Sequence, residues 1–272
     1  MQETIKISQK NSSLILDLKE LWSFRELLYF LTLRDIKVRY KQTAIGIIWA
    51  ILQPVLTTAI FTVIFSSFAK FESVDIPYPL FALSGLLIWL FVNTAITSAS
   101  NSLIGHVNLV TKVYFPRLIV PFSAAFAGLV DLIICLALLL GLMLYYGVPI
   151  SGQIVFAPLF ILLATILALS LGTLFSALNV RFRDVKHALP FGLQIWMFSS
   201  AIFFPLSSLS EKWRFWLSFN PLIGILEGFR SSIFGSAFDW RSIVISIVIT
   251  LTIFVVSIFV FKQLEGDFAD LI

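Results

Sequence analysis

Between Leu132 and Val180 the chain carries no charged side chain, and its apolar run is interrupted only by the turn Gly147-Val148-Pro149-Ile150-Ser151-Gly152. A hydrocarbon core about 30 Å thick takes roughly 20 mainly apolar residues per helical crossing, so this stretch is long enough for one helix out and one back. Backbone groups in hydrocarbon must satisfy one another, which makes helices the natural form. The same pattern predicts six spans along the chain: Ala44–Ala69, Leu80–Ile104, Leu118–Tyr146, Ile154–Asn179, Ala188–Leu206 and Ser242–Phe261. Between the fifth and sixth, Glu211–Arg241 is apolar but broken by Pro221, Gly224, Gly228 and Gly235. That predicts a pair of short helices dipping into the outer leaflet, a re-entrant form that survives only against protein. From Leu14 to Tyr29, helical projection gathers Leu14, Leu18, Leu21, Trp22, Leu28 and Tyr29 on one side, with Lys19, Glu20, Ser23 and Glu26 opposite and Arg25 spoiling the apolar face. This suits a helix lying in the membrane interface, although a soluble helix packed on a partner would carry the same pattern.

Composition agrees with the pattern. Hydrophobic residues make up 59% of 272 and charged residues 12%, with mean hydropathy +0.98, where soluble domains carry about 25% charge. The lone Cys135 lies in an apolar run, which excludes an intrachain disulfide and suits a small buried hydrophobe. The N-terminal region through Lys41 is too charged for a cleavable signal peptide. Lys and Arg then set the orientation. One side receives fourteen of them: Lys6, Lys10, Lys19, Arg25, Arg34, Lys37, Arg39, Lys41, Lys112, Arg117, Arg181, Arg183, Lys186 and Lys262. The other receives five: Lys70, Lys212, Arg214, Arg230 and Arg241. The excess of cations on the cytoplasmic side predicts that both termini are cytoplasmic. The expected organisation is a cytoplasmic N-terminal segment over 1–43, a six-span domain over 44–262 and a cytoplasmic tail over 263–272. No room remains for a soluble catalytic domain. None of the 13 glycines is followed by Lys, so a phosphate-cradling GxxxxGK[ST] loop is absent. Uphill transport would draw on an ion gradient or on a separate ATPase.

Candidate chemistry is sparse. The two histidines, His106 and His187, lie in separate loops, and no HExxH, Cys/His cluster or DxD-type acid pair is present, so no catalytic or metal-ligating residue is expected. Asp131 is the sole acid well inside a span. Such a carboxylate is costly and usually functional, but one paired with Ser, Thr or a backbone carbonyl would serve packing alone. Proton-coupled carriers tend to use several. In Arg34-Asp35-Ile36-Lys37-Val38-Arg39-Tyr40-Lys41, positions 34, 37 and 41 share a helical face just ahead of the first span. These cations suit a topology signal with anionic-lipid contact, or equally a site for a diphosphate-bearing lipid. Two loops, one holding Lys112-Val-Tyr-Phe-Pro116-Arg117 and the other Arg181-Phe182-Arg183-Asp184, could transmit a push from a cytoplasmic partner or be simple topogenic turns. Aromatics form 15% of the chain. Most are structural, but Phe61, Phe65, Trp89, Trp196 and Phe203 are candidates to line a pathway on which sugar rings could stack and slide.

The order of residues is more specific than any single feature. Arg34 to Thr43 with Gly46, Trp49 and Pro54, then Lys112 to Arg117 with Pro121, then Asn179-Val-Arg181-Phe-Arg183-Asp184, then Asn220-Pro221-Leu222 with Glu227-Gly228-Phe229-Arg230, resembles the permeases of bacterial polysaccharide-exporting ABC transporters. These are the type-two membrane subunits of O-antigen, capsule and teichoic-acid exporters, and the likeness is collinear from about Leu21 onward. The resemblance implies an all-α integral membrane fold and a homodimer joined to two copies of a cytoplasmic ATPase on another chain. Any ATP and Mg would then sit on that partner, with no cofactor in this chain and no nucleic-acid partner. It implies a bacterial inner-membrane channel for a lipid-diphosphate-linked glycan. Arg34, Lys37, Arg39, Tyr40 and Lys41 would form a gate at the cytoplasmic mouth. His106, Asn108, Lys112 and Tyr114, with Arg181, Phe182, Arg183 and Asp184, would dock the ATPase on helices over His106–Tyr114 and Val180–Lys186. Asn220, Pro221, Glu227 and Arg230 would belong to a re-entrant outer gate. The rivals are a type-two exporter of drugs or simple lipids, a polytopic enzyme of lipid-glycan assembly, and a gradient-driven carrier.

Overall fold

A computed structural model describes residues 18–41, 46–68 and 76–268. Residues 1–17 with Leu14, the Gln42-Thr43 end of the cationic motif, the Ala44 and Ala69 limits of the first expected span, Lys70, and residues 269–272 lie outside them. The described residues contain helices and no strand: α1 Leu18–Ser23, α2 Arg25–Lys41, α3 Gly46–Phe68, α4 Tyr78–Gly105, α5 Val107–Lys112, α6 Ile119–Tyr146, α7 Ala157–Arg181, α8 Val185–Phe198, α9 Glu211–Leu217, α10 Pro221–Phe234 and α11 Trp240–Leu264. Among the described residues five helices are long and apolar enough to cross a membrane: α3, α4, α6, α7 with its leading 3₁₀ turn, and α11. They correspond to the first, second, third, fourth and sixth expected spans. The hairpin turn between α6 and α7 closes on Gly147, whose φ of 67° is the left-handed conformation that ends a helix.

The fifth expected span takes a different form. Helix α8 stops after 14 residues, about 21 Å at 1.5 Å per residue. The apolar run continues through Ala201–Phe204, but the Ser199 and Ser200 hydroxyls donate back to the Trp196 carbonyl at 3.0 and 2.5 Å, competing with the helical ladder. Ala201 then turns the chain with φ 51°. Residues 200–203 are buried, the setting in which non-helical backbone is tolerated at membrane depth. Of the two short helices expected next, α9 is exposed along most of its length and α10 is packed into the bundle.

Helix α4 is the hub, flanked by α6 and α7, with α11 and α10 packed on α7. Without a hydrophobic drive between helices in lipid, close backbone approach supplies the packing. Helix α10 shows this best. A Cβ at Gly224 would strike the Ser242 carbonyl and Ser246 hydroxyl of α11, and one at Gly228 would enter the Phe160 ring of α7. Gly224→Val is therefore expected to lower stability by about 1–3 kcal/mol or more through overpacking, measured as an earlier thermal transition in detergent.

One end of the bundle gathers Leu31 of α2, Leu103 of α4, Val110 of α5, Phe115, the start of α6, Val180 of α7 and Phe261 of α11 into a single apolar cluster. The loops grouped on one side by their charge thus meet at one end. The expected amphipathic helix is split at Phe24 into α1 and α2. Its apolar face divides too: Leu21 and Leu28 pack on the end cluster, while Trp22 and Tyr29 stay exposed.

Candidate functional site

Helix α2 leaves the end cluster and runs inward along α6, touching α4 through side-chain hydrogen bonds. The spacing of its contacts shows this: Arg34 meets His106 beyond the end of α4, whereas Arg39 meets Ser98 of α4 and Asp131 of α6. Asp131 lies twelve residues past Ile119, about 18 Å along α6. Its two oxygens are each taken, Oδ2 by the Arg39 guanidinium and Oδ1 by the Tyr40 hydroxyl, and a second Arg39 nitrogen donates to Ser98 Oγ at 3.3 Å. The carboxylate that looked isolated in the sequence is thus neutralised from the neighbouring helix. The structure brings together two features read separately, the sole intramembrane acid and the cationic run. The rule that intramembrane charges pair with one another points from Asp131 to the cationic run without singling out Arg39; Ser98 carried no signal.

The other cations of α2 look elsewhere. Arg34, Lys37 and Lys41 border a shallow, open cleft whose described lining, with Phe30, Leu33 and Val38, lies wholly on α2. Arg34 also binds the Asp35 carboxylate at 2.8 Å and His106 Nε2 at 2.7 Å. His106 Nδ1 lies 2.8 Å from the Ser102 carbonyl, which can only accept, so Nδ1 carries the proton and Nε2 accepts from Arg34.

A second polar centre sits at the opposite end. Asn220 caps α10 by accepting from the Leu222 amide at 3.1 Å, with Pro221 at the first helical position. The same Oδ1 accepts from Trp196 Nε1 at 2.9 Å, and Nδ2 donates to Ser200 Oγ at 2.9 Å and to the Ser199 carbonyl. Arg230, only 4% exposed, donates to the Ala201, Ile202 and Phe81 carbonyls, to Ser84 Oγ and to Glu227, and stacks over Phe81 with 3.7 Å to the ring centroid. These two residues absorb the carbonyls freed where α8 breaks.

The aromatic candidates form two groups. Phe61 stacks on Phe203 and Phe65, with Phe65 on Tyr78; Trp89 meets Trp196 edge-on at 5.7 Å between centroids. Trp89 and Phe203 are buried within their own chain, while Phe61, Phe65 and Trp196 keep partial exposure. Among the described residues no three His, Cys, Asp or Glu side chains converge as metal ligands would.

A family model, the ABC-2 type transporter, matches residues 26–234, from the start of α2 to the end of α10. The chain belongs to the ABC-2 type transporter family. Among its relatives is the O-antigen export system permease protein RfbA of Myxococcus xanthus, 28% identical over 216 residues, covering 78% of this chain and 82% of that protein. RfbA of Klebsiella pneumoniae is 25% identical over 249 residues, 91% of this chain and 95% of the relative. The polysialic acid transport protein KpsM of Escherichia coli is 28% identical over 211 residues, 75% and 79% of the two chains.

In this ABC-2 chain the two loops expected to contact an ATPase lie at the same end as the outset of α2. The first is a short helix, α5, with Asn108 and Lys112 exposed and Tyr114 88% exposed just beyond it. The second is a connection rather than a helix: α7 ends at Arg181, Phe182–Asp184 turn outward, and α8 begins at Val185. Arg181 lies over the Phe182 ring, and Phe182, Arg183 and Asp184 are exposed. Asn179 ties this end of α7 to α4 through the Ser100 carbonyl at 3.0 Å and Asn101 at 3.3 Å.

Proposed function

We propose that this chain is the channel-forming membrane subunit of an ATP-driven exporter that moves lipid-diphosphate-linked polysaccharide out of the cytoplasm. The observation that carries the reading is the likeness, over three quarters or more of the chain, to proteins named for O-antigen export and polysialic acid transport. The cationic side of α2 supports it, because Arg and Lys bind phosphate strongly. In this reading α2 is the cytoplasmic gate, and α5 and the Phe182–Asp184 turn receive a separate ATPase, which carries the ATP and Mg. The α9–α10 pair is the re-entrant outer gate, and the aromatic groups flank the channel. The assembly is a homodimer with two ATPase subunits in the bacterial inner membrane. Six crossings put both termini of residues 1–272 in the cytoplasm, the fifth being made by α8 together with the buried non-helical residues that follow it. The N-terminal 1–43 segment, the 44–262 membrane domain and the 263–272 tail keep the roles expected of them.

The test removes phosphate-binding charge without touching the bundle. Lys37→Ala with Lys41→Ala is expected to cut surface glycan about tenfold or more, the loss that follows from charged hydrogen bonds of about 1.5–3 kcal/mol, while the ATPase still co-purifies. Wild-type glycan in that variant would refute the gate, and export of a drug or simple lipid in place of glycan would favour the other kind of type-two exporter.

A further inference from the structure

We infer that Asp131 is the anchor seating α2 on the bundle, so that Arg39 serves this anchor while Lys37 and Lys41 are left to face an anionic, phosphate-bearing ligand. The division of labour rests on reading α2 as the cytoplasmic gate; the anchor itself rests on geometry alone. Three helices meet at this point: Arg39 and Tyr40 from α2, Ser98 from α4 and Asp131 from α6. Both carboxylate oxygens are occupied, and the ionised partners are about three-quarters shielded, with side-chain exposures of 27% and 24%. A lone charge on either helix at this depth would be costly, so each makes the other tolerable.

Helical geometry separates the remaining cations. Residues two apart differ by 200° around an α-helix, so Arg39 lies on the face opposite both Lys37 and Lys41, which share a face at i, i+4. The contacts agree. Lys37 and Lys41 border the cleft and, among the described residues, have no ion-pair partner, whereas Arg39 does not border it. A guanidinium already bound to a carboxylate and a serine is a poor vacancy for a phosphate; two unpaired ammonium groups beside a cleft are a good one. Asp131 therefore acts as a positioning residue: it orients α2 so that the lysines, rather than Arg39, point at the ligand.

Removing one member of a shielded ion pair strands the other, whereas replacing both by neutral, hydrogen-bonding groups is far less costly. That asymmetry distinguishes an anchor from a ligand contact. Cys135, the only cysteine in the chain, reports on the anchor without any need for substrate: it is buried and lies one turn beyond Asp131 on the same face of α6. The experiment follows N-ethylmaleimide labelling of Cys135, read by mass spectrometry, alongside surface glycan, using the full subunit with its ATPase in native membranes. Asp131→Asn and Arg39→Gln should each speed labelling severalfold and reduce export. The double variant Arg39→Gln/Asp131→Asn should return both readouts towards wild type. Tyr40→Phe, which removes one hydroxyl, should raise labelling less than either single variant. Lys37→Ala with Lys41→Ala should reduce export and leave labelling unchanged. Wild-type labelling in both single variants would overturn the anchor. A double variant with wild-type labelling but no export would overturn the division of labour, because Arg39 would then be needed by the ligand. Undiminished export in the double-lysine variant would overturn the gate reading while the labelling pattern still upheld the anchor.

Discussion

Arg230→Met is expected to prevent stable accumulation of the subunit in the membrane. The Arg230 side chain is buried, and its nitrogens satisfy the carbonyls of Ala201 and Ile202 after the break in α8, the Phe81 carbonyl in the first turn of α4, and the Ser84 hydroxyl. Methionine fills a similar volume without a donor. The Ala201 and Ile202 carbonyls would be left without a partner in a place water does not reach, each at about 1–3 kcal/mol, while the Phe81 carbonyl keeps the Ser84 hydroxyl and Glu227 would lose its cation. Losses on that scale are comparable with the whole stability of a typical domain, about 5–15 kcal/mol. Arg230→Lys should fall between, since a point ammonium cannot reproduce the planar fork. The check is membrane yield and thermal aggregation in detergent. Wild-type yield and melting for Arg230→Met would show that the broken segment does not depend on this side chain. A related strain is expected at Gly85, where a Cβ would meet both the Arg230 guanidinium and the Ile202 carbonyl.

Arg230 also shows where reading the chain from its residues stops working. The long apolar runs were legible because a bilayer imposes a length on them, and the end of α6 falls at Tyr146 as the pattern requires. The break after Phe198 was not legible: Ala201–Phe204 is as apolar as what precedes it, and its Ala201 and Ile202 carbonyls are satisfied by a side chain nearly thirty residues further on. Hydropathy measures side chains, whereas this break is decided by backbone partners. The cationic run was legible as a helix, and the shared face of positions 34, 37 and 41 matches the cleft. The separate task of Arg39 was not, because it depends on a partner on α6 that periodicity within α2 cannot name. Counting aromatics likewise identified rings without their faces. Phe61 and Phe203 were both candidates to line a pathway, but nothing in the sequence placed one ring on the other.

His106→Phe is expected to separate ATP turnover from export. The ring sits where α4 gives way to α5, holding the Ser102 carbonyl through one nitrogen and Arg34 of α2 through the other. It therefore joins the loop proposed to receive the ATPase to the helix proposed to gate the substrate, and it is only partly exposed, unlike Asn108, Lys112 and Tyr114. Phenylalanine keeps the ring and removes both the acceptor for Arg34 and the donor to the Ser102 carbonyl within α4, while Arg34 retains Asp35. The bond lost between the helices involves a charged donor and is worth about 1.5–3 kcal/mol, enough to lower export about tenfold or more. The exposed docking side chains are untouched, so ATPase co-purification and basal turnover should persist. Arg34→Met should impair export too, and the double variant should be less impaired than the sum of the single losses predicts, because both changes cut one link. Loss of the ATPase from the purified His106→Phe complex would instead make His106 a docking contact, and fully additive losses would mean that the histidine and the arginine act through separate routes.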